Sequence, residues 1–374
     1  MKPHRPTLGI RTERLRGGWQ HGVKLLHVHN GRLTAALCPT RGMGIIGACC
    51  DGVRLGWDSP VREIVHPRHV DLTRNGGTGW LDGFNEFIVR CGLQNIGRPG
   101  WDDGPAGDKT FLTLHGRIAN QPARAVKVRR FGEGANRRLF VSGRVQEPTA
   151  TGGRLELTTE FSCRAGARAF TLRDTILNPG SKPEEFSVLY HVNLGVPLLG
   201  RGARFLAPIS SAAPINPTAS RRMRALADYD NPRTGRPEEV FALRLLGDRN
   251  AKTVVALVDP TGTRAVSLAF SLRELSCMTL WKQLGGPGER YVTGLEPGTN
   301  YPQHRSLERR QGRMRTLAPG NAHRIRIDCR VHLGASAIRR LQRRIAALQA
   351  RAKPQVQTAR IFFTDDSFHE HIRA

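Results

Sequence analysis

Apolar and polar residues alternate with a period of two along most of the chain, the pattern of strands with one face buried. Val23–His29 reads Val-Lys-Leu-Leu-His-Val-His and runs into Asn30-Gly31, a strong two-residue hairpin signal, after which Leu33–Leu37 returns. Ile45–Cys50 and Val53–Trp57 flank Asp51-Gly52 in the same way. Further strands are predicted at Thr110–His115, Ala125–Phe131, Leu139–Gln146, Arg154–Cys163, Ala169–Leu177 and Glu185–His191. The series continues with Val240–Leu246, Thr253–Val258, Ala265–Phe270, Cys277–Lys282, Arg290–Glu296, Met314–Leu317 and Ala322–Val331. Gly, Pro, Asn and Asp separate these runs at short intervals, so the chain reads as an all-β protein, a large antiparallel sandwich, rather than a β/α repeat.

Helical spacing shows clearly only near the end. Between Ala335 and Arg351, Ile338, Leu341, Ile345 and Leu348 fall on one face, with Arg339, Arg340, Arg343 and Arg344 on the other. The regular stripe contains no Trp or Phe, which favours a helix docked on the sandwich over a membrane- or RNA-binding arm. The expected organisation is a β domain over residues 1–334 and a helix with a tail over 335–374. Two long irregular stretches, Asp58–Gly83 and Arg201–Arg236, are candidates for functional loops.

Composition narrows the function classes. With 374 residues, 39% of them hydrophobic, the chain can bury a sizeable core, which rules out a wholly disordered protein. It has no apolar run of about 20 residues, and its basic N-terminus lacks the apolar segment of a secretory signal, so a cytoplasmic location without membrane association is expected. Seven cysteines, an odd number with no Cys-x-x-Cys pair, suit reduced thiols and no structural zinc. The net charge of +27 invites a nucleic-acid reading. Only eight basic residues are lysines, however, and the 50 arginines are spread along the whole chain. Such a spread reads as solvated faces, so no nucleic-acid partner is expected.

Three segments end an apolar run on an ionisable residue followed by turn residues. They are Leu114-His115-Gly116-Arg117-Ile118-Ala119-Asn120, Leu189-Tyr190-His191-Val192-Asn193-Leu194-Gly195 and Thr293-Gly294-Leu295-Glu296-Pro297-Gly298-Thr299-Asn300. Taken singly, each of these His or Glu residues fits a satisfied core or turn position. The histidines His27, His29, His66 and His69 have no acidic or thiolate partner at matching spacing, which argues against a metal site. Gly285-Gly286-Pro287-Gly288 lacks the ending of a phosphate loop, and no Gly-x-Ser-x-Gly elbow is present.

Together with Gly79-Trp80-Leu81-Asp82-Gly83-Phe84-Asn85-Glu86-Phe87, Arg90-Cys91-Gly92-Leu93 and Leu280-Trp281-Lys282-Gln283-Leu284-Gly285, the three segments resemble the aldose 1-epimerase (galactose mutarotase-like) superfamily. The closer resemblance is to its DUF4432 branch, over residues 20–335. It implies a supersandwich fold and interconversion of sugar anomers, with Glu296 as general base and His191 as general acid. It further implies that His115, Arg90, Asn85, Asn193 and Lys282 bind the sugar, Lys282 standing in for an aspartate that has no clear counterpart here; Asp228 and Asp230 are nearby candidates. Trp80 or Trp281 would offer an apolar face to the ring. Anomer exchange requires one group to take the O1 proton while another protonates the ring oxygen, with no net redox change. The reading therefore needs no cofactor or metal, only a small sugar as partner, and suits a monomer or homodimer. A non-catalytic sugar-binding protein and a different sugar isomerase are the alternatives.

Overall fold

The computed structural model describes residues 8–105, 107, 109–147 and 155–356. The tail beyond residue 356 and Arg154, the first residue of one expected strand, lie outside them. Two large, mainly antiparallel sheets stack face to face. One has thirteen strands; its centre runs, in spatial order, Gly44–Cys50, Ile88–Leu93, Glu184–Leu194, Tyr291–Gly298, Cys277–Leu284 and Glu239–Leu245. The second has eight strands, with Arg264–Ser271, Ala322–Leu333, Ala169–Leu177 and Glu156–Arg164 as successive neighbours. This is the expected all-β sandwich.

Alternation explains the layers. Val188, Tyr190, Val192 and Leu194 point from the Glu184–Leu194 strand into the core between the sheets, with Leu280, Leu295, Phe161, Phe170 and Ile327. Successive side chains in a strand face opposite ways. Leu189 and His191 therefore lie on the other face of the large sheet, where Trp57, Trp80, Phe84, Val89, Cys91, Trp281 and Tyr301 form a second apolar cluster. At the far side of the molecule the helix Ala335–Gln349 docks Ile338, Leu341 and Ile345 on Val254, Ala256, Val258 and Ala265 of the second sheet, leaving its arginines exposed. No helix among the described residues is long and apolar enough to cross a membrane.

The expected strands are present, several with ends shifted by a few residues, and the structure adds others. Ile88–Leu93 is buried at every position and so shows no alternation to read. Within the stretch read as irregular, Arg204–Leu206 and Ile209–Pro214 pair with neighbouring strands, and Pro217–Arg222 is a short helix capped by Asn216. All seven cysteines are free thiols and all but Cys49 are buried, so their pKa values where shifted are raised by desolvation.

Candidate active site

The register of the central strands builds the site. Leu189 pairs with Gly298 and Val192 with Leu295, which brings His191 opposite Glu296. On the other side of Glu296, Thr279 is its direct partner. His191 Nε2 lies 3.1 Å from Glu296 Oε1, and the two residues are only 4% and 2% exposed. Despite that distance, Oε1 accepts no well-aligned hydrogen bond, and the Thr279 hydroxyl beside it is also unpartnered. Gly294 makes room for the pair: a Cβ there would collide with the Glu296 carboxylate.

Asn193, two residues along the same strand, sets the orientation of the imidazole. Its Nδ2 donates to the carbonyls of Glu86 (3.0 Å) and His191 (3.3 Å), which leaves Oδ1 to accept from His191 Nδ1 at 2.6 Å. Nδ1 must then carry a hydrogen, and Nε2 is the atom free to exchange a proton with Glu296. Burial holds the Glu296 carboxyl well above the usual carboxylate range and His191 well below the usual histidine range. Burial thus biases each group toward its neutral form, the carboxyl toward keeping its proton and the imidazole away from taking a second one.

Aromatic rings wall the pair. Phe84, Trp281 and His115 have ring centres 5.1, 5.2 and 5.6 Å from that of His191, and Trp80 lies 4.6 Å from His115. Trp80 Nε1 is buried without a partner, a further donor with nothing to satisfy it. His115 donates from Nδ1 to the Ile96 carbonyl at 2.8 Å, and burial lowers its pKa to about 4, so it is neutral at physiological pH. The glycine after it is required, because Gly116 has a φ of +70° and a Cβ would strike the carbonyls of Gly92 and Asn95.

The loop carrying Trp80 and Phe84 is braced from below. Buried Arg41 pairs with Glu86 at 2.7 Å and donates to the carbonyls of Val65 and Gly83, each at 2.8 Å. Ser59 holds the Phe84 carbonyl and Trp57 the Glu86 carbonyl. Asn85 donates to the carbonyls of Val61 (3.3 Å) and Glu63 (2.8 Å), so it fastens this loop. Outward of Phe84, a cavity of about 500 Å³ is lined by Trp57, Leu81, Phe84, Gln283 and Arg290 among others. The Arg290 guanidinium stands over the Trp281 ring, 5.9 Å from its centre, and forms no ion pair among the described residues.

Of the residues that the sequence pointed to, Glu296, His191, His115, Trp80, Trp281 and Asn193 come together. Asn193 spends all its polar atoms on the histidine strand and Glu86, which makes it a positioning residue rather than a sugar ligand. Arg90 and Lys282 are corrections: both lie on the opposite face of the sheet. Arg90 alternates with Val89 and Cys91 and reaches across the core to Asp174, with its Nη1 on the Met43 carbonyl at 3.1 Å. Lys282 follows Trp281 and so points into the core, where its ammonium donates to the carbonyls of Ala225 (3.1 Å) and Asp228 (2.9 Å). It also stands over the Tyr229 ring at 4.7 Å, and burial lowers its pKa to about 8. Asp228 and Asp230 pair with Arg204 and with Arg222 and Arg236, respectively. Sequence reasoning missed Arg41, Glu86, Thr279 and Arg290; only the outward parity of Thr279 with Trp281 was available to find one of them.

Fold and site define an all-β protein of the galactose mutarotase-like class with a buried histidine–glutamate pair. More specifically, the chain belongs to the family described as Domain of unknown function (DUF4432), whose model matches residues 20–331. It is similar to a crystal structure from Klebsiella pneumoniae subsp. pneumoniae described as a candidate aldose 1-epimerase. The two are 35% identical with a TM-score of 0.89, over 94% of this chain and 90% of that one. A galactose mutarotase-like protein from Clostridium acetobutylicum matches 87% of this chain and 99% of its own length at 17% identity and a TM-score of 0.59. A galactose 1-epimerase from Lactobacillus acidophilus matches 88% and 100% at 13% identity and a TM-score of 0.54. These last two likenesses are of fold. Among curated proteins no match is found.

Proposed function

We propose that the chain interconverts the anomers of a free sugar or sugar derivative, with Glu296 as the base and His191 as the acid. The observation that carries this reading is the 3.1 Å approach of Glu296 Oε1 to His191 Nε2 inside a buried aromatic chamber. Passing the carboxyl proton from Glu296 to His191 leaves a carboxylate beside an imidazolium. With a sugar between them, the carboxylate takes the O1 proton while Nε2 delivers its proton to the ring oxygen, and the C1–O5 bond opens. Rotation about C1–C2 presents the other carbonyl face, and the same two groups run in reverse. One proton per pair suffices, so the chemistry is self-contained. The unpartnered Trp80 Nε1 and Thr279 hydroxyl suit sugar hydroxyls, and the name borne by the Klebsiella relative agrees.

Arg290, which stands over the Trp281 ring, is the proposed cation for an acidic group of the sugar, in place of Arg90 and Lys282. Exchange NMR over neutral aldoses, uronates and sugar phosphates tests the reading. At least one sugar should exchange anomers faster with the wild type, and an acidic one should lose that preference in Arg290→Gln. Sugar binding without acceleration of any substrate would overturn the catalytic assignment in favour of a binding protein.

A further inference from the structure

The arginines that look evenly spread along the sequence are gathered by the fold. A cavity of about 1100 Å³ opens on the outer face of the second sheet, far from the histidine–glutamate pair. Nine arginines line it against one carboxylate, Asp328. Its shape follows from side-chain size. Outward positions of adjacent strands carry small residues: Ser162 stands opposite Thr171, Ala169 opposite Arg330, and Ser267 opposite the same arginine from the other side. These make a low floor. The docked helix Ala335–Gln349 raises one wall, presenting Arg340 and Arg344 to it.

Four of the nine arginines are engaged by acids: Arg32 and Arg168 share Asp51, Arg173 pairs with Glu160, and Arg326 pairs with Asp328. The other five, Arg138, Arg164, Arg330, Arg340 and Arg344, form no ion pair among the described residues, and all five are exposed. The positive potential is felt by a neighbour. His332, which shares a 2.8 Å hydrogen bond with Ser267, is held at a pKa of about 4, chiefly by burial and then by Arg330, Arg340 and Arg344. A concave surface with this excess of guanidinium forks is built for several anionic oxygens at once.

We infer that this groove binds an extended acidic polysaccharide, its carboxylate or sulfate groups seated on the arginine forks. Single-stranded nucleic acid is disfavoured because its sites add aromatic faces for the bases. Here the one Phe, Tyr or Trp in the lining, Phe170, is buried in the inter-sheet core. An acidic peptide would look for apolar anchor pockets, whereas the floor is made of the small polar residues Ser162, Thr171 and Ser267, whose hydroxyls are held by Arg173, Asp328 and His332. The inference stands on the groove and does not depend on the anomer reaction.

Binding of full-length protein to size-defined polygalacturonate and heparin fragments, with oligodeoxythymidylate and polyglutamate of equal charge as comparisons, tests it at about 150 mM salt. The triple variant R138Q/R330Q/R344Q is set against R201Q/R221Q/R224Q, which removes the same charge from exposed positions outside the groove. Acidic polysaccharide should bind, weaken at least about tenfold in the groove variant with a shallower salt dependence, and change less than about twofold in the control. Failure of both acidic polysaccharides to bind overturns the inference. So does equal weakening by the two triple variants, or tighter binding of oligodeoxythymidylate or polyglutamate.

Discussion

Tyr190 and His191 are neighbours in one strand, and each belongs to a buried network on its own side of the sheet. On the core side, Tyr190 donates to Asp174 at 2.6 Å, and the same carboxylate takes the Arg90 guanidinium and the Thr159 hydroxyl. Every charge there has an opposite charge and its hydrogen bonds, and the network ties one sheet to the other. On the outer side, His191 and Glu296 are as deeply buried, yet Oε1 accepts no aligned bond and Glu296 has no other ion pair among the described residues. A satisfied pair stabilises a protein's geometry; a pair left short of partners holds capacity for chemistry. Burial pushes both members of the outer pair toward their neutral forms, whereas Arg90 is kept charged by Asp174.

This contrast can be broken from either side. The largest effect is expected from the outer pair: Glu296→Gln and His191→Asn should each lower anomer exchange by about 10² to 10⁴-fold, measured by exchange NMR. The pH window of the wild-type rate is bounded by the two shifted groups. The rate falls at low pH only where the pair binds a second proton, well below the usual histidine value, and at high pH only where the pair loses its single proton, well above the usual carboxylate value. On the core side, Arg90→Met strands the Asp174 carboxylate and should cost about 3–5 kcal/mol in denaturant unfolding, with the rate per folded molecule close to wild type.

Smaller effects sharpen the division. Asn193→Ala frees the imidazole to turn, which should slow exchange by up to about a hundredfold at a cost of about 1–3 kcal/mol in stability from the buried groups left unpaired; an unchanged rate per folded molecule would make Asn193 a purely structural residue. Glu296→Gln should also stabilise the fold by about 0.5–2 kcal/mol at neutral pH. The sign follows from the raised carboxyl: its folded-state pKa exceeds the unfolded value, so any stability it lends is present at acid pH and lost as pH rises. The melting gap between variant and wild type should therefore be wider at pH 8 than at pH 5.

Much of this was legible in the sequence, and the limits have physical reasons. Alternation revealed the sandwich, and the strand ends of the three motif segments marked His115, His191 and Glu296. What alternation could not supply was the facing of strands without it. Ile88–Leu93 is buried on both faces, so nothing in the sequence told which way Arg90 points. For Lys282 a signal existed: it adjoins Trp281, and adjacent strand residues cannot face the same side. Arg41 and Glu86 meet over a separation of 45 residues that no local pattern records. The arginine groove depends on the register of several strands and on where the last helix docks, so a chain-wide count made it look like background.

The central claim is that the two buried networks have separate jobs, and one paired measurement reaches it most directly: anomer exchange and unfolding free energy on the same samples of wild type, Glu296→Gln and Arg90→Met. The account predicts that Glu296→Gln loses exchange and keeps or gains stability, while Arg90→Met loses stability and keeps exchange per folded molecule. Full exchange in Glu296→Gln, on a sugar that the wild type accelerates, would contradict it.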